Sequence, residues 1–173
     1  MTLSLMQIIP FLLAAARWTL LLASIAFIGG GIGATLLLLW RYGAPRVGMR
    51  ITSIYIQLLQ GTPLLLQLFL VFFGLPMLGI DVAPLTAAGI ALTLYASAFL
   101  AEIWRGCVDS IPRGQWDASD SLGMTYLVQM RYVILPQSLK IAIPPTVGFL
   151  VQLLKSTALA SIVGFEELTR AGQ

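Results

Sequence analysis

Residues 18–40, WTLLLASIAFIGGGIGATLLLLW, contain no charged side chain. A hydrocarbon core about 30 Å thick is crossed by roughly 20 apolar residues in an α-helix, so this run is long enough to span a bilayer. Gly29, Gly30, Gly31 and Gly33 cluster within it. Small residues there either let a second helix approach closely or are simply tolerated in lipid, and the run alone leaves both readings open. The whole chain agrees with a membrane setting: 58% of its 173 residues are hydrophobic and 10% charged, with a mean hydropathy of +0.92. A soluble domain usually carries about a quarter charged residues, and folding this chain in water would leave large apolar patches exposed.

Composition also removes several kinds of chemistry. The chain has no histidine and a lone cysteine, Cys107. A His/Cys metal cluster, a Ser-His-Asp triad and an internal disulfide are out of reach, so neither catalytic residues nor a bound metal are expected. The formal charge of +3 and pI near 9.4 would raise nucleic-acid binding in a soluble protein, but here the ten Lys and Arg residues sit mostly between apolar runs. That placement is topology information, and no nucleic-acid partner is expected. The opening MTLSLMQIIPFLLAAA lacks a basic n-region, and its apolar stretch continues through Trp40, too long for a signal-peptide core. The first segment is therefore expected to be retained.

Three further spans follow. Ile51 to Ile80 is uncharged but divided by Gly61-Thr62-Pro63, and Gly74-Leu75-Pro76 reads as its exit turn. This predicts one kinked helix over about 51–73. Val82 to Ala101, entered through Pro84 and closed by Glu102 and Arg105 on one helix face, predicts a third span over about 84–105. The fourth begins near Lys140 or Ile141, with Pro144-Pro145 in its first turn, where missing N–H groups cost little. It reaches Leu154, giving a span of about 140–160, and Ser156 to Phe165 either extends it or dips back as a broken segment. The prediction is a single all-α integral membrane domain over residues 1–173 with four spans.

Orientation follows from the basic residues near the span ends. Arg41, Arg46 and Arg50 follow the first span, and Arg105, Arg113, Arg131 and Lys140 lie between the third and fourth. Both loops are predicted to be cytoplasmic, which puts the N-terminus and the 74–85 loop, free of Lys and Arg, outside. Arg17 departs from this pattern, and a snorkelling interfacial position accounts for it.

Between the third and fourth spans lies DSIPRGQWDASDSLGMTYLVQMRYVILPQ, residues 109–137, polar enough for water yet patterned as a short helix. Ser110 is a candidate cap, Pro112 fits a first turn and Gly123 an end, predicting a helix over about 112–123. At about 100° per residue, Gln115, Ala118, Ser119 and Leu122 share one face, while Arg113, Asp117 and Asp120 fall opposite. A helix lying on the membrane normally presents bulky apolar residues flanked by basic ones. This face offers Ala and Ser with Leu122 as anchor, which also suits a groove on another protein.

These residues carry a resemblance. Gly114 to Gly123, followed by Ile134-Leu135-Pro136-Gln137, resembles the EAA loop of ABC-importer permeases, with Asp117-Ala118-Ser119 where Glu-Ala-Ala is usual and Gly123 at the motif glycine. Gly61-Thr62-Pro63-Leu64-Leu65 with Gln67, Ala101-Glu102-Ile103-Trp104-Arg105-Gly106, Ile111-Pro112-Arg113-Gly114-Gln115, Lys155-Ser156-Thr157-Ala158-Leu159 and Glu166-Glu167-Leu168 are similar to the branch that carries polar amino acids. Two departures, Gln60 where arginine is common and Ala158 where serine is usual, bear on which solute is carried.

The resemblance implies a type I ABC-importer transmembrane domain in the bacterial cytoplasmic (inner) membrane, in contact with lipid. Its implied partners are ABC ATPase subunits, a second permease chain, identical or not, and a periplasmic or lipid-anchored solute-binding protein. No cofactor belongs to this chain, since ATP and Mg would be bound by the ATPase. A cytoplasmic coupling helix would use Arg113, Gly114, Gln115, Trp116, Asp117, Ala118, Ser119, Leu122 and Gly123. Such permeases normally have a fifth span, which is not found before Gln173, so the sequence is expected to be incomplete.

Polar residues inside spans are costly in hydrocarbon and mark solute paths by default, which nominates Gln60, Thr62, Gln67, Glu102, Gln152, Lys155 and Thr157. The plainer readings are helix–helix hydrogen bonding for Thr62 and Gln67 and an interfacial ion pair for Glu102 with Arg105. An ion channel or ion-coupled secondary carrier without an ATPase is the competing function; its usual mark is a mid-span acid, whereas Glu102 and Asp81 fall at span ends. A membrane enzyme would need clustered acids or a nucleophile with its base, and the scattered acids form no such group. The docking helix alone does not separate a transporter from a membrane scaffold.

Overall fold

The computed structural model describes the backbone of residues 5–44 and 46–163 and the side chains of 16–44 and 46–160. Among the described residues the chain is all helical. The helices are α1 (Leu5–Gly43), α2 (Val47–Gly61), α3 (Leu64–Met77), α4 (Pro84–Asp109), α5 (Arg113–Ser121), α6 (Tyr126–Gln129) and α7 (Leu135–Ser156). A π-helical turn, Met130–Ile134, joins α6 to α7, and a 3-10 turn, Thr157–Val163, follows α7.

Three helical stretches are long and apolar enough to cross a membrane: Ala16–Gly43, Pro84–Asp109 and Tyr126–Ala160. The α2–α3 pair makes a fourth if taken as one broken span. Within the chain α4 is central, with 61% of its apolar window buried against 28% for α1 and 22% for Tyr126–Ala160. It packs on α1, α2, α3 and α7. Its run of Ala87, Ala88, Gly89, Ala91, Ala96, Ser97, Ala98 and Ala101 is buried, because small side chains let helices meet closely where lipid supplies no hydrophobic drive.

The glycines of α1 supply the other half of that contact. A Cβ on Gly29 would lie 2.9 Å from Thr93 Cγ2, and one on Gly33 2.9 Å from Ser97 Cβ. The close-approach reading of this cluster is the one the fold adopts. Gly31 turns aside, toward Trp104.

Four expectations need correction. The predicted single kinked helix is two helices, α2 and α3, meeting at 99°. Thr62 and Pro63 at the junction are extended (ψ 139° and 134°), and Pro63 lacks an N–H, so the ladder cannot continue through them. The expected exit turn at Gly74-Leu75-Pro76 lies within α3, and the chain turns at Gly79 (φ +82°) instead. Ile80 N–H bonds the Leu75 carbonyl and Gly79 N–H the Pro76 carbonyl, the paired bonds of a helix end closed by left-handed glycine.

The fourth segment does not begin near Lys140. It is helical from Tyr126, and Pro144 and Pro145 lie inside α7 rather than in its first turn. Finally, Ser110 does not cap α5: its hydroxyl donates to the Cys107 carbonyl, and Pro112 occupies the cap position. After α7 the chain tightens into the Thr157–Val163 turn, and the remainder of the 156–165 question, at Gly164 and Phe165, lies outside the described residues, as do Glu166, Glu167 and Leu168.

Candidate functional site

The nine-residue helix α5 stands between α4 and the α6–α7 stretch. Gly123 (φ +70°) closes it: Gly123 N–H bonds the Asp120 carbonyl at 2.8 Å and Met124 N–H the Ser119 carbonyl at 3.2 Å. A left-handed residue at this position satisfies carbonyls that a helix end leaves free, and glycine adopts it without steric cost.

The open face of α5 differs from the one its pattern suggested. Ser119 is 3% exposed, with its hydroxyl donating to the carbonyls of Gln115 and Trp116. Trp116 packs on a buried cluster of Val108, Ile111, Met130 and Ile134 and stacks on Tyr126 at 6.4 Å. Asp120, placed by periodicity opposite that face, is exposed and accepts a hydrogen bond from Gln129 Nε2. The inward face is thus Trp116 and Ser119, spaced i and i+3, with Asp120 exposed at its edge. Arg113, Gly114, Asp117 and Ala118 remain exposed, and so does Leu122, at 76%. Gln115 is exposed but tied sideways by Gln137 at 3.1 Å.

A second polar feature lies where α1, α2 and α4 meet. Arg41, Ser53, Gln57, Gln60, Glu102 and Arg105 line a cleft of ≈ 320 Å³ with Ile56. Arg105 pairs with both Glu102 and Asp109, each about one turn away from it on α4. Arg41 donates Nη1 to Ser53 Oγ at 3.2 Å and, among the described residues, forms no ion pair. Its guanidinium therefore keeps donors available to an anionic group in the cleft.

Of the residues nominated for a solute path, Gln60 and Glu102 come together in this cleft. Thr62 and Gln67 instead close the α2–α3 break: Gln67 Nε2 donates to the Leu59 carbonyl at 2.8 Å and to Thr62 Oγ1 at 3.0 Å, and Thr62 donates to the Leu58 carbonyl. Gln152 donates to Tyr95 Oη across α7 and α4 at 3.2 Å, Lys155 is exposed, and Thr157 is buried with its hydroxyl on the Leu154 carbonyl. Arg41, Ser53 and Gln57 were missed because charge counting assigned Arg41 to topology and the two others sit in an unremarkable helix. An i, i+4, i+7 series of Ser53, Gln57 and Gln60 on α2 is the signal that marks this polar stripe.

Residues 28–173 match the family described as binding-protein-dependent transport system inner membrane component. The chain belongs to this family. Among curated relatives of this inner-membrane component, the L-cystine transport system permease TcyB of Bacillus subtilis (strain 168) is 37% identical over 95% of the chain and 70% of its own length. The glutamine transport system permease GlnP of Escherichia coli (strain K12) is 34% identical over 95% of the chain and 76% of its own. A crystal structure of an amino acid ABC transporter with histidines superposes with a TM-score of 0.91 at 34% identity, covering 98% of the chain and 81% of that structure's. As a permease subunit of this family the chain is a membrane transport component, and ATP is hydrolysed by a separate ATPase subunit.

Proposed function

We propose that the chain imports polar amino acids across the bacterial cytoplasmic (inner) membrane, with its N-terminus outside and α5 acting as the coupling helix. The observation that carries the reading is the exposed face of α5, with Leu122 76% exposed on a helix whose other face is seated on its own chain. An ATPase cleft receives Leu122, Ala118, Asp117, Gly114 and Arg113, while Trp116, Ser119 and Gln115 seat the helix and Gly123 turns the chain away. ATP and Mg bind to the ATPase. Its closure drives the permease between inward- and outward-open states only insofar as α5 is bound differently in the two.

The carried class is supported by the relatives, which are named for amino acid transport. In this reading Gln60 and Glu102, with Arg41, meet solute in the α1–α2–α4 cleft. Gln152, Lys155 and Thr157 belong to the α7 side of the path, where a second permease chain completes it, and a solute-binding protein delivers from outside. Thr62 and Gln67 act by holding the break between α2 and α3. Affinity purification from the native membrane in detergent tests the proposal: an ATPase subunit and a second permease chain are expected to copurify. Uptake by the isolated chain alone in liposomes, with no ATPase bound, would instead identify a channel or ion-coupled carrier.

A further inference from the structure

The helix α5 is tied to its own chain by two side-chain bridges as well as by packing. Gln129, 4% exposed, donates Nε2 to the Asp120 carboxylate. Gln137 donates Nε2 to Gln115 Oε1 at 3.1 Å and to the Val133 carbonyl at 2.8 Å. Gln129 ends α6 and Gln137 stands in the first turn of α7, so the bridges grip the Met130–Ile134 π turn from both sides. Met130 and Ile134 from that turn, with Val108 and Ile111, form a buried cluster separate from the main core around α4. The end of the molecule that carries α5 therefore has its own small core.

Asp120 lies in the last turn of α5, where the helix dipole disfavours a negative charge. A buried amide aimed at that carboxylate offsets the penalty and fixes the angle between α5 and the π turn. Beyond the turn, Pro144 and Pro145 lie inside α7 and supply no N–H to the carbonyls of Lys140 and Ile141. Prolines are where helices bend.

We propose that the Asp120–Gln129 bridge, with Gln115–Gln137 beside it, clamps α5 to the π turn so that both move as one body, delivering displacement of α5 into α7 ahead of Pro144-Pro145. Asp120 and Gln129 act as positioning residues, holding α5 to the π turn. The inference rests on the reading of α5 as the coupling helix.

The test uses the complex copurified with its ATPase, in a Cys107→Ala background, with spin labels in two pairings: Ser121→Cys with Ala83→Cys, and Leu139→Cys with Ala83→Cys. On adding MgATP and vanadate, both distances shift in the wild type. Gln129→Met and Asp120→Ala are expected to leave the Ser121 shift in place and cut the Leu139 shift by about half or more, since a hydrogen bond to a charged group is worth roughly tenfold in an equilibrium. Asp120→Asn keeps an acceptor and restores the Leu139 shift. Equal shifts in every variant overturn the clamp, and so does joint loss of both shifts with loss of ATPase copurification, which marks a merely structural role. A wild-type preparation that brings down no ATPase overturns the coupling-helix reading itself, and this inference with it.

Discussion

Gly30 and Ala96 lie so close that a Cβ on Gly30 would come within 2.5 Å of the Ala96 Cβ and 3.1 Å of the Ala96 carbonyl carbon and Ser97 nitrogen. The obstructing atoms are largely backbone, which cannot rotate aside. Gly30→Val is expected to separate α1 from α4 and destabilise the fold by about 1–3 kcal/mol, the usual cost of overpacking. Gly31→Ala, whose nearest neighbour is a Trp104 ring atom at 3.7 Å, is the control and should be nearly neutral. Thermal unfolding in detergent compares the two.

Leu122 is predicted to be separable from folding. It is 76% exposed, so Leu122→Asp should leave the melting temperature of the isolated chain unchanged. Within an ATPase cleft the same carboxylate would be buried without a partner, at several kcal/mol, enough to weaken assembly more than a hundredfold. Copurification and stimulated ATP hydrolysis read this out. Full coupling in Leu122→Asp would mean that α5 merely lies on the membrane surface.

Gly123→Val should behave differently, because φ +70° is a strained position for a β-branched residue. A cost of roughly 1–3 kcal/mol is expected in the isolated chain. Unlike Leu122→Asp, it should lower thermal stability before any partner is added.

Removing the side chain that braces the α2–α3 break should loosen it. Gln67→Met loses donation to the Leu59 carbonyl, the Thr62 carbonyl and Thr62 Oγ1. About 1–2 kcal/mol of destabilisation is expected, mostly from carbonyls left without a partner. Faster hydrogen exchange confined to residues 58–67 would locate the effect.

Thiol labelling tests orientation. Asp81→Cys should react with an impermeant reagent applied outside intact cells, whereas Gly43→Cys, with nothing within 4 Å of an added Cβ, should react only after permeabilisation. Cys107 is buried and contributes little background. Reversed labelling would invert the proposed topology.

Solute contact is tested in the cleft and on α7. Gln60→Ala and Glu102→Gln are expected to change the apparent KM for amino acid uptake by roughly tenfold while ATPase copurification persists. Lys155→Ala is predicted to shift selectivity in the same assay. Unchanged kinetics for Lys155→Ala would place that ammonium at the membrane interface instead.

Sequence alone determined the solvent, the approximate position of the apolar runs, the α1 glycine cluster and the short polar helix with its terminal glycine. Each rests on local chemistry: charge excluded from hydrocarbon, small side chains, and left-handed backbone that favours glycine. Tertiary structure decided what local periodicity cannot. Whether Gly61-Thr62-Pro63 kinks a helix or turns it through 99° depends on α3 packing against α4. Pro144-Pro145 looked like a helix start because prolines cost least there, yet packing of the preceding π turn under α5 carries the helix back to Tyr126. Which face of α5 stays open was set by the packing of Trp116 and Ser119, and the Arg41–Glu102 cleft by α4 returning against the consecutive helices α1 and α2. Helical periodicity names the residues that share a face; only the partners that bury one face decide which is left for solvent, solute or another protein.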